Sequence, residues 1–183
     1  MCCSSGLHIT RRRRKSACPS IKIGNLNKMD ALQLEKVYEL FSAGIGAHSD
    51  MSLKFVSTEE NRVVLEMPFQ EKHATAHENG SLHPGALAAA LDSACGFVVL
   101  QSLAVPQAIA TINLRIDHIH SAPVGTDVRI QAECYQQING FAYVSAFASS
   151  LDGRKMLCNA QGIFKIGSPG PALDRSLLYR RGD

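Results

Sequence analysis

One long stretch of the chain, residues 79 to 114, contains a single Asp, Glu, Lys or Arg side chain, that of Asp92. Inside it, the Ala-rich run from Pro84 to Gln101 has the length of a helix. Proline suits the first helical position because its missing N–H would have no helical partner there. A helix that is apolar all round is stable only when other elements bury it. The sequence therefore predicts a buried central helix, and the charge of Asp92 within the run argues against a membrane span.

Segments with the period-two alternation of half-buried strands flank this helix. Two precede it and four follow it, and tight turns are predicted at Asn139-Gly140 and Asp152-Gly153. We expect the four later strands to follow one another as hairpins. The predicted strands are 51–56, 63–69, 111–117, 128–134, 141–148 and 156–166. In the third of them, alternation places Ile112, Leu114 and Ile116 on one face and Thr111, Asn113, Arg115 and Asp117 on the other.

A shorter amphipathic helix is predicted before the first strand, because apolar residues recur there every three or four positions. Asp30 is placed to cap this helix, and Gly44 and Gly46 are placed to end it. Its apolar positions are Leu32, Leu34, Val37, Leu40, Phe41 and Ile45. One long helix, one short helix and six strands give an α+β layout in which a single antiparallel sheet covers the long helix.

The chain of 183 residues, 45% of them hydrophobic, fits one domain with one core. Residues 1–29 carry seven Arg and Lys side chains and no Asp or Glu, whereas residues 30–183 carry 12 basic and 16 acidic ones. The acidic balance of the second segment excludes the charge pattern of a nucleic-acid-binding domain. We expect a disordered basic leader over 1–29 with Met29 as the natural start, a folded domain over 30–166 and a flexible tail over 167–183.

The six cysteines show no CxxC pair and no zinc-ligand spacing. Cys95, Cys134 and Cys158 lie inside apolar runs, where cysteine usually behaves as a small buried hydrophobe. We expect a reducing, cytoplasmic location, no metal and no cofactor. The basic leader, with Arg and Ser but no acidic residue, leaves organelle targeting open.

Asp92 is the main candidate for chemistry. A carboxylate on a buried helix costs several kcal/mol unless it is hydrogen-bonded or neutralised, and perturbed carboxylates in clefts are candidates for a general base or a nucleophile. About two turns upstream, His83-Pro84-Gly85 begins the helix, where free N–H groups and the positive end of the helix dipole stabilise an anion such as the oxyanion of a thioester under attack.

This pattern resembles a known family. His83-Pro84-Gly85 followed by Asp92-Ser93-Ala94 is similar to the His-Gly-Gly-to-acid signature of hotdog-fold thioesterases of the PaaI, or phenylacetate-degradation, type. Residues 111–114 and 123–125 resemble the next strand and turn of these enzymes, and residues 152–154 resemble their last hairpin. The resemblance covers residues 50 to 166.

The resemblance implies a long helix wrapped by five or six strands, in dimers or tetramers whose active sites lie at subunit interfaces and hydrolyse acyl-CoA without a metal. It makes Asp92 the base that activates water, or the nucleophile, and the backbone from His83 to Gly85 the clamp on the thioester carbonyl. Ser93 would lie near the pocket. Asn113 belongs to the resembling strand, and Arg115 is a cation that could contact the phosphates of CoA, although strand arginines more often face solvent.

Two departures from the family pattern affect these roles. The family's first glycine after the histidine is Pro84 here, and proline has no N–H to donate, so the donor would shift to Gly85 or be absent. The position six residues before the histidine, usually Asn or Gln, is His77, with Asn79 two residues later. The residue that positions water is therefore either His77 or Asn79.

Three other interpretations remain open on sequence grounds. A non-catalytic acyl-CoA or lipid-binding hotdog module would follow if Pro84 has removed the oxyanion donor. A hotdog dehydratase is the second, although the chain lacks the Gly-Asp-x-Asn-Pro-x-x-His stretch of hydratases. The third is a Cys95 nucleophile, which would need a nearby histidine base.

Overall fold

The protein is described by a computed structural model that covers residues 38–39, 41–42, 49–59, 61–76, 80–105 and 107–169. The predicted leader and most of the predicted tail lie outside these residues, as do His77 and Asn79. The described elements are β1 (Lys54–Glu59), β2 (Arg62–Met67), a 3-10 turn (Glu71–His73), α1 (Pro84–Ser102), β3 (Ile109–His118), β4 (Val128–Ile138), β5 (Phe141–Ser150) and β6 (Met156–Ile166).

The six strands form one antiparallel sheet in the order β1-β2-β4-β5-β6-β3. This confirms the α+β prediction of one long helix on one sheet. The predicted turns are also present: Asn139 and Gly140 both have positive φ between β4 and β5, and Gly153 has positive φ between β5 and β6. These are the conformations that a tight hairpin requires.

The expectation that all four later strands follow one another as hairpins is wrong for β3. Both edges of β4 are taken, by β2 and by β5, so β3 pairs instead with β6 at the far edge of the sheet. Alternation reveals which side chains of a strand face the core, but it says nothing about which strand lies next to it. The segment between β3 and β4 therefore crosses the sheet rather than turning back on itself.

The helix α1 is the centre of the core. Its fully buried side chains include Leu91, Phe97, Val98 and Val99, and burying each large apolar side chain stabilises the fold by roughly 1.5–3 kcal/mol. By length and composition α1 would also pass for a membrane-spanning helix, but 61% of its most apolar window is buried inside the fold, as in the core helix of a soluble protein.

Part of the predicted short helix is described. Its residues Tyr38, Glu39, Phe41 and Ser42 are helical, and the rest of its predicted span lies outside the described residues. The rings of Tyr38 and Phe41 pack against Phe97 of α1, with centroids 5.1 and 5.6 Å away. The Tyr38 hydroxyl donates a hydrogen bond to the carbonyl of Leu53 at 2.7 Å. These contacts attach the N-terminal segment to the core helix.

A β-bulge in β3 corrects the predicted alternation. The pairing of β3 with β6 shifts between Thr111 and Asn113, so Ile112 is an extra residue in the strand and is 59% exposed. A bulge of this kind re-aims the side chains on either side of it. Thr111 consequently lies on the helix-facing side with Leu114 and Ile116, instead of with Asn113 on the outer face.

Candidate active site

The N-terminus of α1 is capped by His83, which has extended backbone torsions. The backbone N–H of Gly85 donates to Nδ1 of the His83 ring at 2.9 Å. The N–H groups of Ala86 and Leu87 both donate to the His83 carbonyl, at 3.0 and 3.3 Å. Since Pro84 has no N–H, every backbone donor of the first helical turn already has an acceptor within the chain.

The cap also determines which nitrogen of the exposed His83 ring can donate. When Nδ1 accepts a hydrogen bond from Gly85, a neutral imidazole carries its proton on Nε2. The His83 backbone is held in turn by a hydrogen bond from its N–H to the His73 carbonyl, 2.8 Å long. The helix start therefore presents the Nε2–H of His83 as a donor, and the Gly85 N–H becomes a second donor when another acceptor replaces Nδ1.

Asp92 lies seven residues after Gly85 on the same face of α1, about 10 Å along the axis. Its carboxylate is half-buried, and Oδ1 accepts a hydrogen bond from the Thr111 hydroxyl at 3.0 Å. The Thr111 hydroxyl thus supplies the hydrogen bond that a carboxylate on a buried helix was expected to need, and the carboxylate itself is half-buried. Cα–Cβ bonds in a helix tilt toward its N-terminus, so the Asp92 side chain leans toward Gly85.

Only alanine side chains separate these two positions. Ala88 and Ala89 lie between Gly85 and Asp92 on this face, and both are half-buried. Residues three and four apart are neighbours on a helix surface, so a larger side chain at either position would cover the approach to the carboxylate. The face is thus open from the helix start to Asp92.

Sequence reasoning missed Thr111 as a site residue. The alternation rule assigned it to the outer face, and only the bulge at Ile112 turns it toward α1. A β-branched residue followed by an isoleucine gives no local sign of a bulge, since these residues all favour regular strands. The residue has to be found from its contact with Asp92.

Ser93 and Cys95 belong to the inner part of α1. Ser93 is 6% exposed and Cys95 is fully buried. Burial, reinforced by the neighbouring Asp92 carboxylate, raises the pKa of the Cys95 thiol to about 12. A thiol with such a pKa supplies almost no thiolate at neutral pH, which removes the physical basis for a Cys95 nucleophile.

Asn113 and Arg115 lie on the other face of the sheet from Asp92 of the same chain. Asn113 pairs with Ile163 and Arg115 pairs with Gln161, on either side of the buried Gly162. The Arg115 guanidinium is occupied by an exposed ion pair with Asp117 at 3.1 Å. The structure therefore places His83, Gly85 and Asp92 on one face of α1, with Asp92 about 10 Å from the helix start, and Asn113 and Arg115 on the other face of the sheet.

Two further features lie outside this group. A depression of about 440 Å³ near the β5–β6 turn is lined by Asp127, Arg154 and Lys155 among others, and it contains none of the predicted site residues. Within the part of the chain that the structure describes, no group of three or more His, Cys, Asp and Glu side chains could hold a metal ion.

Comparison with known proteins places this geometry in context. Residues 79–157 match the model of the thioesterase superfamily, a segment that includes His83, Gly85, Asp92 and Thr111. The Escherichia coli PaaI protein of the phenylacetic acid degradation operon superposes with a TM-score of 0.65 over 74% of this chain and 94% of its own, at 14% identity. The chain has the hotdog fold and is similar to the PaaI-type thioesterases.

Two other similar proteins bear on the activity. A Pseudomonas aeruginosa protein provisionally named an esterase is 26% identical over 107 residues, which are 58% of this chain and 77% of that protein. A hypothetical thioesterase from Streptococcus pneumoniae TIGR4, solved with coenzyme A, shares 17% identity and superposes with a TM-score of 0.56 over 62% of this chain and 84% of its own. The superfamily match and the esterase relative support thioester hydrolysis in general.

Proposed function

We propose that this protein hydrolyses acyl-CoA thioesters to a free acid and CoA, with Asp92 as the general base or the nucleophile. The observation that carries the proposal is the open face of α1. It has hydrogen-bond donors at His83 and Gly85, a carboxylate two turns later at Asp92, and only alanine methyl groups between them. Thioester hydrolysis needs a donor at the carbonyl oxygen and a base or nucleophile beside the carbonyl carbon. Because about 10 Å of helix separates these groups within one chain, the donors of one copy would act together with Asp92 of a second copy at a subunit interface.

The carbonyl oxygen would be polarised at the helix start. The thioester oxygen replaces His83 Nδ1 as the acceptor for the Gly85 N–H, or it accepts from the Nε2–H of the same ring. Both donors sit at the positive end of the α1 dipole, where developing negative charge is stabilised. The resembling enzymes use the N–H of a glycine at the position of Pro84. Because proline has no N–H, the donors here would be the Gly85 N–H and the His83 ring.

Attack on the carbonyl carbon depends on Asp92. The Thr111 hydroxyl donates to one carboxylate oxygen and leaves the other free to accept a proton from water or to attack directly. The donated hydrogen bond fixes the orientation of the carboxylate. Thr111 is thus a positioning residue for Asp92. The water-positioning role stays with His77 or Asn79, which lie outside the described residues.

The substrate class and the assembly extend the same proposal. A similar protein was solved with coenzyme A, which supports CoA as the carrier. Among the described residues β3 pairs with β6 alone, so its other edge offers unpaired backbone groups to a second copy. A homodimer or homotetramer formed there would cover Thr111 and Asp92 and place the active site at a subunit interface. Asn113 and Arg115 lie on the other face of the sheet from Asp92 of their own chain. In such an assembly they would therefore contact only a substrate bound to a neighbouring copy.

A second candidate function follows from the observation that the backbone N–H donors of the helix start already have acceptors within the chain. Because the Gly85 N–H already bonds His83, the protein could bind acyl-CoA without polarising its carbonyl. Thiol release from acetyl-, octanoyl-, palmitoyl- and phenylacetyl-CoA, followed with a thiol reagent, separates the two functions. We expect turnover with at least one of these thioesters. Saturable binding of acyl-CoA with no thiol release would support the binding module and contradict the enzyme.

A further inference from the structure

The hydrogen bond that caps α1 also covers one of the donors of the helix start. Nδ1 of His83 accepts from the Gly85 N–H at 2.9 Å. A Cβ atom at Gly85 would lie 3.0 Å from Nδ1 and 3.2 Å from Cε1 of the His83 ring, so the ring lies directly over Gly85. A thioester oxygen can therefore bond the Gly85 N–H only after the His83 ring has turned away.

A short antiparallel bridge before α1 places a second histidine beside His83. Ala74 pairs with Leu82, and the His83 N–H donates to the His73 carbonyl at 2.8 Å. In this register His73 is opposite His83, and opposite residues share a face, with Cβ atoms about 4.5–5.5 Å apart in a regular pair. Leu82 is buried in the core, so alternation places the two histidines on the face that points away from it.

The ring of His73 contains a nitrogen that has no partner. Its Nδ1 is buried, and none of the described residues forms a hydrogen bond with it. Buried polar atoms without a partner are rare, because the missing hydrogen bond destabilises the fold. Nδ1 is the ring nitrogen nearer to the backbone, so it is the nitrogen within reach of the opposite residue. That residue is His83, whose Nε2 carries a proton in the capped state.

We propose that His73 is a positioning residue that accepts a hydrogen bond from the turned His83 ring and thereby leaves the Gly85 N–H free for the thioester oxygen. The proposal rests on the acyl-CoA hydrolysis proposed above. In the capped state Nδ1 of His83 bonds Gly85, and Nδ1 of His73 has no partner. In the turned state the Nε2–H of His83 donates to Nδ1 of His73. This bond raises the population of the state that can bind the carbonyl.

The test compares substitutions that each retain a different part of the imidazole, using purified full-length protein and thiol release from the best acyl-CoA. His73→Asn places an amide oxygen near the position of Nδ1 and should keep kcat/KM within about threefold of the parent value. His73→Gln places its amide near Nε2, and His73→Phe has no polar atom. Both should lower kcat/KM by roughly tenfold, the effect of about one hydrogen bond.

Three further comparisons separate this role from a structural one. His73→Phe should leave the thermal midpoint unchanged or higher, because it removes a buried atom that has no partner. Thr75→Val removes a hydroxyl that lies 3.4 Å from the Ser81 hydroxyl in the same hairpin and keeps both histidines. It should change kcat/KM by less than about threefold. In a His83→Phe background, His73→Phe should lower kcat/KM no further, because His73 acts through the His83 ring.

NMR of the isotopically labelled histidine rings observes the exchange directly. The probe is acetonyl-CoA, a ketone analogue that keeps a carbonyl oxygen but has a methylene between this carbonyl and the sulfur, so it is not hydrolysed. In the free protein Nδ1 of His83 should be the hydrogen-bonded acceptor. When acetonyl-CoA is bound, the Nε2–H proton of His83 should shift downfield because it bonds His73. The shift should be absent in His73→Phe.

Two results overturn the proposal. One is equal kcat/KM in His73→Asn and His73→Gln, a pair that decides the question even if His73→Phe does not fold. The other is a shift of the His83 Nε2–H that persists in His73→Phe or does not occur in the parent protein. Either result leaves acyl-CoA hydrolysis itself intact. Failure of the proposed function looks different, because the parent chain would then release no thiol from any acyl-CoA.

Discussion

The two halves of α1 have similar apolar sequences but different surroundings. From Pro84 to Asp92 the helix has exposed or half-buried residues in every turn, and the alanines between Gly85 and Asp92 are partly open to solvent. From Ser93 to Leu100 every residue is buried. The first half has one open face, although Leu87, Ala90 and Leu91 on its other side are buried, whereas the second half lies beneath Phe41, Ile109 and the sheet. The same kind of helix thus provides an open face with polar groups at one end and a core at the other.

Under the proposed function, this contrast separates the residues expected to act in the chemistry from those that stabilise the fold. In the first half the hydrogen bonds of His83, Gly85 and Asp92 orient polar groups toward an open face. In the second half Phe97 and its aromatic neighbours fill the core. Substitutions in the first half should therefore change turnover more than stability, and substitutions in the second half should do the reverse.

The largest expected effect on stability comes from the buried half. Phe97 is fully buried against Tyr38, Phe41 and Phe55. Phe97→Ala should lower the free energy of unfolding by about 3–5 kcal/mol, because it removes apolar contacts and leaves a cavity. Ala88→Gly, in the open half, should cost no more than about 1 kcal/mol. Urea unfolding measures the free energy of unfolding of both variants. Equal decreases in the two would contradict the contrast between the halves of α1.

The next effect tests the helix start. Pro84→Gly supplies an N–H at the position where the resembling enzymes have their carbonyl donor, and one such donor is worth on the order of 3 kcal/mol in the transition state. If proline limits the site, kcat should rise by as much as about a hundredfold while the thermal midpoint falls slightly through the added backbone entropy. Flat or reduced turnover would show that Gly85 and His83 already polarise the carbonyl.

A smaller effect is expected at the partner of the carboxylate. Thr111→Val removes the hydroxyl that bonds Asp92 and keeps the shape of the side chain. Hydrogen bonds to charged groups contribute about 1.5–3 kcal/mol, so kcat should fall by roughly tenfold or more, and Thr111→Ser should restore most of it. The KM should stay within about threefold, because the hydroxyl bonds the carboxylate and not the substrate. An unchanged kcat in folded Thr111→Val would assign Thr111 a purely structural role.

Cys95 should show almost no reactivity. Burial and the Asp92 charge raise the pKa of its thiol from 9.0 to about 12, so the folded protein keeps this proton between those pH values while the unfolded chain releases it. The contribution of Cys95 to stability is therefore present below pH 9 and is lost as the pH rises toward 12. Peptide mapping after iodoacetamide treatment at neutral pH should find Cys95 unmodified until denaturant is added. Fast labelling of the native protein would contradict its placement in the core.

The sequence alone predicted the helices and strands, but it did not predict which of them lie next to one another. Hydrophobic periodicity and turn residues predicted the long helix, the six strands and the Asn139-Gly140 turn, because these depend on local backbone preferences. The position of β3 beside β6 depends on contacts between distant segments, which no local pattern records. For the same reason the sequence singled out Asp92 as the only charge in an apolar run, but it could not show that Thr111 bonds it.

The central claim is that Asp92 acts in thioester hydrolysis on the open half of α1. The most direct test compares Asp92→Asn with Asp117→Asn, which removes an exposed carboxylate of β3 on the outer face. Both variants should unfold at nearly the same temperature as the parent chain. Asp92→Asn should lower kcat for the best acyl-CoA by at least about a hundredfold, and Asp117→Asn should lower it by less than about threefold. Near-parental turnover by folded Asp92→Asn would contradict the account.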